Sequence, residues 1–443
     1  MGCIWTLELD SPSNITEKHL YFHLKTTNRF GTTQVNQTYS QSQAVGSYNS
    51  SENCLYIVPA NTTHPSSTSI VDQKSPYKVV CYVEVPNTRR SEAKINPLDN
   101  IDYSLCTHLV YLDADIDTQY KTLELEYSSL KTASELHRQL TNLRTKGVKI
   151  LLGFSGWAAY RGIKYSNLIN DRVARKQFAI NAAGFLEKHN FDGFELRWFY
   201  PKDWEIHDYY EPDKIAFAEF VKELHAVFTQ KRLLLSLVVP REKRDIDACY
   251  DLSTLSGYLD WITMNTVVYY RRWRLTAHTA PLYSKNEDKY PTANINFTVY
   301  HIMEKVEDKS KLLLRVSVRG ELYSLLSTAD HGLNAKTINS TFVSYYEMCN
   351  LMDKQWTVVQ DPEKRKGPYA YFNTKWITFD DPAMARHKSE YVKNMGLGGV
   401  GIYIQYDDFN NTCSCESYPM LNAVNRVLRN YRVSDPNCQF PPI

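Results

Sequence analysis

From Tyr77 onward, apolar runs of strand length alternate with amphipathic segments of helical length. The runs are Lys78–Val83, Thr107–Leu112, Val148–Phe154, Phe191–Trp198, Leu233–Val239, Trp261–Val268, Leu312–Val318 and Gly399–Ile404. Strands that are apolar on both faces, with helices between them, belong in a parallel sheet covered by helices. Eight is the number that closes such a sheet, so the predicted fold is α/β, a (β/α)8 barrel. The intervening helices can be read from their periodicity. After Pro212, residues Ile215, Ala218, Val221, Leu224 and Phe228 recur at three- and four-residue steps. Between Asn170 and His189, Val173, Phe178, Phe185 and Leu186 form a rougher stripe.

Residues 1–76 have a different texture and are predicted to form a separate β-rich segment. Cys3-Ile-Trp5, the alternating run His19 to Leu24 and Cys54-Leu-Tyr-Ile-Val58 read as strands. Stretches rich in Ser, Thr, Asn and Gln lie between and after them, ending in a linker over Ser66–Lys74. The segment resembles part of a CUB domain, which makes Cys3 and Cys54 candidate disulfide partners. The competing reading is a glycosylated extension with little order. The barrel is expected over 77–432, followed by a tail over 433–443.

Charge and cysteine usage narrow the function classes. With 51 Lys+Arg against 49 Asp+Glu, the net charge of +2 gives no case for nucleic acid or an anionic membrane. The nine cysteines include no CxxC pair and no zinc-type Cys/His spacing, so neither metal nor cofactor is expected. Asn-x-Ser/Thr acceptor sequences occur at Asn14, Asn36, Asn49, Asn61, Asn296, Asn339 and Asn410. Seven of them favour a secreted, disulfide-permissive setting. The opening MGCIWT instead fits a myristoylation pattern, with Gly2 as acceptor and Cys3 as a palmitoyl site, but a cytosolic chain would leave every acceptor sequence unused. The opening has neither the basic nor the apolar region of a signal peptide, so the true N-terminus is expected upstream. No stretch is apolar enough to span a membrane.

The chemistry centres on Phe191 to Pro201 (FDGFELRWFYP). As a strand, this stretch projects Glu195, Arg197 and Phe199 from one face and Phe194, Leu196 and Trp198 from the other. It resembles the catalytic-strand signature of the family 18 glycoside hydrolases, the chitinases and chitinase-like lectins, which runs roughly FDGxDxDxE-YP. Asp192 and Gly193 match, Glu195 and Arg197 replace the two later aspartates, and Phe199 stands where the family carries its catalytic glutamate. The resemblance extends from Tyr77 to about Tyr431. Lys78-Val-Val-Cys-Tyr82 and Cys106-Thr-His-Leu-Val-Tyr111 resemble the first two strands, which implies a Cys81–Cys106 disulfide. Lys149 to Trp157 (KILLGFSGW) resembles the third strand, and Ala280-Pro-Leu-Tyr283 the loop after the sixth. Gly396 to Gly399 and Asp407 to Cys415 resemble the last strand and tail. The resemblance implies that Cys349 pairs with Cys413 or Cys415, with Cys438 as a late partner for the one left over. It also implies that residues 321–392 form the α+β insertion of the chitotriosidase and insect type.

The departures fall on the chemistry. The family cleaves by substrate assistance, in which a protonated glutamate donates to the glycosidic oxygen while the sugar's own acetamide attacks C1. Phe199 has no proton to give, and the Arg197 guanidinium stays charged. Beside it, Glu195 is expected to remain ionised, the wrong state for a general acid. The sixth-strand motif M-x-Y-D aligns with Asn265, Thr266, Val267 and Val268, losing its tyrosine and aspartate. The seventh-strand motif becomes Arg315 to Glu321 (RVSVRGE), with its last charge reversed, and Tyr403 replaces the floor tryptophan of the central subsite.

The expectation is a non-catalytic secreted chitinase-like protein, without enzyme activity, that binds an oligosaccharide or an extracellular protein. Candidate glycan contacts are Trp157, Tyr200, Tyr269, Tyr270, Arg271, Trp273, Trp376 and Tyr403, whereas Trp198 is expected to pack under helices. The run Tyr269 to Arg274, together with Arg197, Arg315 and Arg319, suits an anionic glycan. The plainer reading of the same charges is a solvated loop plus an Arg197–Glu195 pair inside the barrel. The competitors are a protein-binding scaffold with a plugged cleft and a weak or altered chitinase.

Overall fold

The computed structural model describes residues 71–84, 102–117, 121–125, 147–154, 163–197, 213–270, 274–286, 288–352, 355–412 and 416–432, with small gaps and a few short pieces near 138–144. It also describes the backbone of four strands between residues 19 and 59. The chain divides into two compact units, Met1–Ser69 with Val433–Asp435, and Ile70–Arg432 with Pro436–Ile443. In the first unit, β1 (His19–Asn28) pairs antiparallel with β2 (Gly31–Ser40), and β3 (Ala44–Asn49) with β4 (Cys54–Pro59). Strands β2 and β3 lie in polar sequence where no strand was predicted.

The second unit is a closed parallel barrel. Its strands are β5 (Lys78–Glu84), β6 (His108–Ile116), β8 (Lys149–Phe154), β9 (Gly193–Leu196), β10 (Leu234–Val239), β11 (Trp261–Met264), β12 (Leu312–Arg315) and β18 (Gly399–Tyr403). Each pairs in parallel with its neighbours, and β5 pairs with both β18 and β6, which closes the ring. The short β7 (Leu123–Leu125) runs antiparallel beside the end of β6. All eight predicted runs coincide with a barrel strand. Strands β9, β11 and β12 are shorter than their runs, because Asp192, Asn265 and Val316 already lie outside them, whereas β5 and β6 extend past theirs.

Helix Arg172–Lys188 buries Phe178, Ala179, Ala182, Ala183 and Leu186, and helix Asp213–Lys231 buries Phe217, Phe220, Val221, Leu224 and Phe228. Val173 and Ile215, read as core, are 78% and 73% exposed. Small alanines and the neighbouring Phe217 fill the inner stripe instead, and rotate those two outward. Residues 71–76, read as linker, are tied to the barrel. Val71 is buried, Asp72 N–H donates to Arg429 O at 2.9 Å, and Ser75 Oγ donates to Leu428 O at 2.7 Å.

Between the last two barrel strands, β13 (Arg319–Leu325), β14 (Thr337–Ser344), β15 (Thr357–Val359), β16 (Tyr369–Phe372) and β17 (Lys375–Thr378) form an antiparallel sheet in the order β14-β13-β17-β16-β15. Helix Tyr345–Leu351 follows β14 through a capping box between Ser344 and Glu347. Helix Pro382–Asn394 begins with Pro382 at its first turn and with Asp381 accepting Met384 N–H at 2.7 Å. It carries Lys388, which is fully buried. Its ammonium group donates to Asp380 and to Ala280 O at 2.7 Å, so one cation joins the helix, the end of the inserted sheet and the loop after β11.

The Cys81–Cys106 disulfide is present, with the Cα atoms 5.8 Å apart. It ties β5 to the segment leading into β6 and closes a loop of 25 residues. In the chain-entropy account, losing such a loop closure costs about 3 kcal/mol. Replacing both cysteines by Ala should therefore lower the urea midpoint markedly, with an equal or steeper slope because the unfolded chain is freed to expand. A variant with the wild-type midpoint would mean that barrel pairing alone fixes this corner.

Candidate active site at the C-terminal ends of the barrel strands

Alternation along β9 directs Glu195 into the barrel and Phe194 and Leu196 outward to the helices, as read from the sequence. Glu195 is 0% exposed. It sits in register with Ser236 on one side and Gly153 on the other. Its Oε2 accepts from Tyr82 Oη at 3.1 Å and from Ser236 Oγ at 3.2 Å. The Tyr82 hydroxyl also lies 3.1 Å from Thr263 Oγ1. Among the described residues Oε1 accepts no hydrogen bond, and Arg197 Nε lies 3.9 Å from it.

The next layer is built of arginine and tyrosine. Tyr82 and Tyr403 are register partners on neighbouring strands, so both rings point inward and stack with centroids 5.0 Å apart. Arg197 Nη2 donates to Tyr403 Oη at 2.6 Å. The Arg315 guanidinium lies 4.2 Å from the Tyr403 centroid, while its Nη1 donates to Asn265 Oδ1 at 2.6 Å. Further out, Arg319 lies 3.6 Å over the Tyr406 ring, and Tyr406 Oη donates to Glu84 Oε2 at 2.5 Å. Gly401 is what admits the Tyr82 ring. A Cβ there would meet Tyr82 Cε2 at 2.8 Å and Thr263 Cγ2 at 3.3 Å.

The ionisation of Glu195 differs from expectation. Burial without water raises its pKa from the ordinary 4.5 to about 7, and Arg197, Tyr82 and Ser236 only partly offset that. The guanidinium at 3.9 Å brings it only part of the way back toward the ordinary value.

The candidate residues separate into three groups. Arg197, Glu195, Tyr403, Arg315 and Arg319 do converge. Asp192 does not join them. It sits at the entrance of β9, where its carboxylate accepts Ile150 N–H at 2.9 Å and pairs with Arg144 at 3.1 Å and Lys149 at 3.3 Å. Trp376 is removed from the candidate contacts, because it is 0% exposed in the inserted sheet, stacked on Tyr369, with Nε1 donating to His331 O at 3.0 Å. Tyr270 is likewise buried, with its hydroxyl donating to Tyr290 O at 3.3 Å, and Tyr269 donates to Thr298 Oγ1 at 2.9 Å. Tyr403 is only 3% exposed among Tyr82, Arg197 and Arg315, so it offers little ring face as a subsite floor.

Trp157, Trp198, Phe199, Tyr200, Arg271, Trp273, Cys3, Cys413, Cys415 and Cys438 lie outside the described residues, as do Asn14 and Asn61. Cys349 is disulfide-bonded, and both of its expected partners are in that undescribed set. Cys54 opens β4, and Asn36 and Asn49 lie on β2 and β3. Met264 ends β11, and the residues aligned with the sixth-strand motif, Asn265 to Val268, follow the strand. Thr266 Oγ1 donates to Arg315 O at 2.9 Å, and Val268 follows with the strained φ of 60°, unusual for a β-branched residue.

Sequence reading missed Tyr82, Ser236 and Thr263. Their signal was their alternation parity on strands one, five and six, which places them inward with Glu195. Among the described residues, no helix is long and apolar enough to cross a membrane.

A closed (β/α)8 barrel with polar side chains converging inside the C-terminal ends of its strands puts the candidate site where barrel proteins of this kind carry theirs, and the class follows from the sequence. The chain belongs to the glycosyl hydrolases family 18, whose sequence profile matches residues 78–408. It is 35% identical to "Probable chitinase 10" of Drosophila melanogaster over 396 residues, covering 86% of this chain but 17% of that much longer protein. It superposes on catalytic domain 2 of the Ostrinia furnacalis Group II chitinase with a TM-score of 0.75 at 37% identity, covering 81% of this chain and 98% of that one. It also superposes on human YKL-39, described as a pseudo-chitinase with retained chitooligosaccharide binding, with a TM-score of 0.71 at 27% identity, covering 80% and 99%.

Two substitutions probe this layer. Because Glu195 is protonated more readily in the folded state, its stabilising contribution is full below pH 4.5 and fades as pH rises through about 7. Glu195→Gln should flatten the fall of melting temperature between pH 5 and 8, a difference of up to about 3 kcal/mol. Parallel pH profiles for the two proteins would reject the buried, titrating carboxyl. Gly401→Ala should cost about 1–3 kcal/mol by displacing the Tyr82 ring. Gly184→Ala, with nothing within 4 Å of its Cβ, should be neutral or stabilising in the same thermal melts.

Proposed function

We propose that this is a non-catalytic family 18 protein, acting outside the cell, whose barrel mouth binds an oligosaccharide of the chitin type or an anionic one. The observation that carries the reading is the sealed state of Glu195. With Phe199 in the sequence position of the catalytic acid, Glu195 is the nearest carboxyl on that strand, and it is 0% exposed. Its pKa of about 7 would suit a general acid, but its Oε2 is already held by Tyr82 and Ser236. The loss of function is spread over several strands. Arg197 brings a fixed positive charge where an acetamide-orienting carboxylate belongs, and the aligned sixth-strand stretch Asn265 to Val268 carries neither the tyrosine nor the aspartate that would hold the acetamide.

The retained chitooligosaccharide binding of YKL-39 supports a lectin role. The Arg315, Arg319, Tyr403 and Tyr406 group favours extending it to sulfated or uronic-acid sugars. The second reading is a protein-binding scaffold. It is favoured by the 3% exposure of Tyr403, whose ring is occupied by neighbours that a sugar would have to displace.

The test is a pair of assays on the secreted chain. A chromogenic chitobioside should show no turnover, and measurable release would overturn the non-catalytic reading. Titration with chitooligosaccharides and with a sulfated glycan should give saturable binding to at least one. The absence of both would transfer the function to the scaffold reading. The double variant Phe199→Glu, Arg197→Asp should remain inactive, because the acetamide is still unheld.

A further inference from the structure

Away from the barrel mouth, a groove of about 450 Å³ runs between helices Ile295–Met303 and Pro382–Asn394. Tyr283, Asn296, Tyr300, His387, Glu390 and Tyr391 are among its lining residues. Its volume is that of a small-ligand site. Asn296 and Tyr300 are four residues apart on one helix and so share a face, and Tyr300 is 53% exposed. Tyr283 and Tyr391 pack edge to face, with centroids 6.0 Å apart. Asn296 begins the acceptor sequence Asn296-Phe-Thr298. Tyr391 Oη donates to Asn296 Oδ1 at 3.0 Å, which turns the amide so that Nδ2, the atom that carries an N-linked glycan, is left without a hydrogen bond among the described residues.

We infer that Asn296 carries an N-linked glycan whose first sugars lie in this groove, with their apolar faces on Tyr300 and Tyr283. The groove is then a site for the protein's own glycan rather than for a free ligand. Aromatic faces with polar rims suit a pyranose, and His387, Glu390 and Asn394 supply the rim. The Thr298 hydroxyl is now buried and donates to Arg241 O at 2.9 Å, so glycan transfer must precede folding of this helix, as it does on a nascent chain. Asn339 and Asn410 are exposed acceptor sites elsewhere on the same unit and serve as internal references.

The inference rests on the extracellular reading, and one experiment separates the two. The full chain is secreted from cultured eukaryotic cells behind a cleavable leader, and glycan occupancy is read at each acceptor site by peptide mass spectrometry. Native release by a peptide N-glycosidase is then timed site by site. Occupied Asn296, released roughly tenfold more slowly than Asn339 and Asn410, with the lag abolished in Tyr300→Ala, is the expected result. Occupied Asn339 and Asn410 with bare Asn296, or release from Asn296 as fast as from the other two, would overturn the inference and leave the extracellular reading standing. No occupancy at any of the three would overturn both.

Discussion

A carboxyl group shut inside a parallel barrel is the constraint around which the interior is arranged. Removing Glu195 from water is costly in either ionisation state unless its oxygens are met by donors. The barrel supplies two hydroxyls to one oxygen and a guanidinium at 3.9 Å to the other, and burial then favours the neutral form. Tyr82 supplies one of those hydroxyls, and its ring needs space that only a glycine at position 401 leaves. The inward layer is thus interdependent: Gly401 admits Tyr82, Tyr82 holds Glu195 and stacks on Tyr403, and Tyr403 accepts Arg197.

Outside this layer the structure again buries a titratable group against named polar partners. Lys388 is as deeply enclosed as Glu195, and its desolvation is offset by Asp380 and the Ala280 carbonyl. The position matters, because that ammonium lies where the inserted sheet, the helix after it and the loop after β11 meet. Asp192 is a third case. It resembles part of a catalytic signature, yet it closes the lower end of β9 by taking Ile150 N–H and two cations. Signature residues of a family can therefore serve the barrel frame rather than its chemistry.

Strand count, barrel closure and the alternation of β9 were legible in the residue pattern because apolar period and length are local properties of the chain. So was the Cys81–Cys106 pair, through the family resemblance of the first two strands. Helix faces were read less well. At Val173 and Ile215 a large side chain attracted the assignment, while the inner stripe was made of alanines and a phenylalanine that counting large residues overlooked. Trp376 and Tyr270 were read as glycan contacts on the strength of their chemistry, but each has its polar atom bonded inside a packed cluster.

By itself the sequence determined the inward parity of the barrel strands and that the chain closes into a barrel. The tertiary structure alone decided how Glu195 is protonated, which tyrosines pack and which stay exposed, and where the Asn296 amide points. Those outcomes depend on solvent exclusion and on partners more than a hundred positions away along the chain, such as Tyr82 for Glu195 and Tyr403 for Arg197. No local periodicity encodes such contacts, because they exist only once the ring of strands has closed.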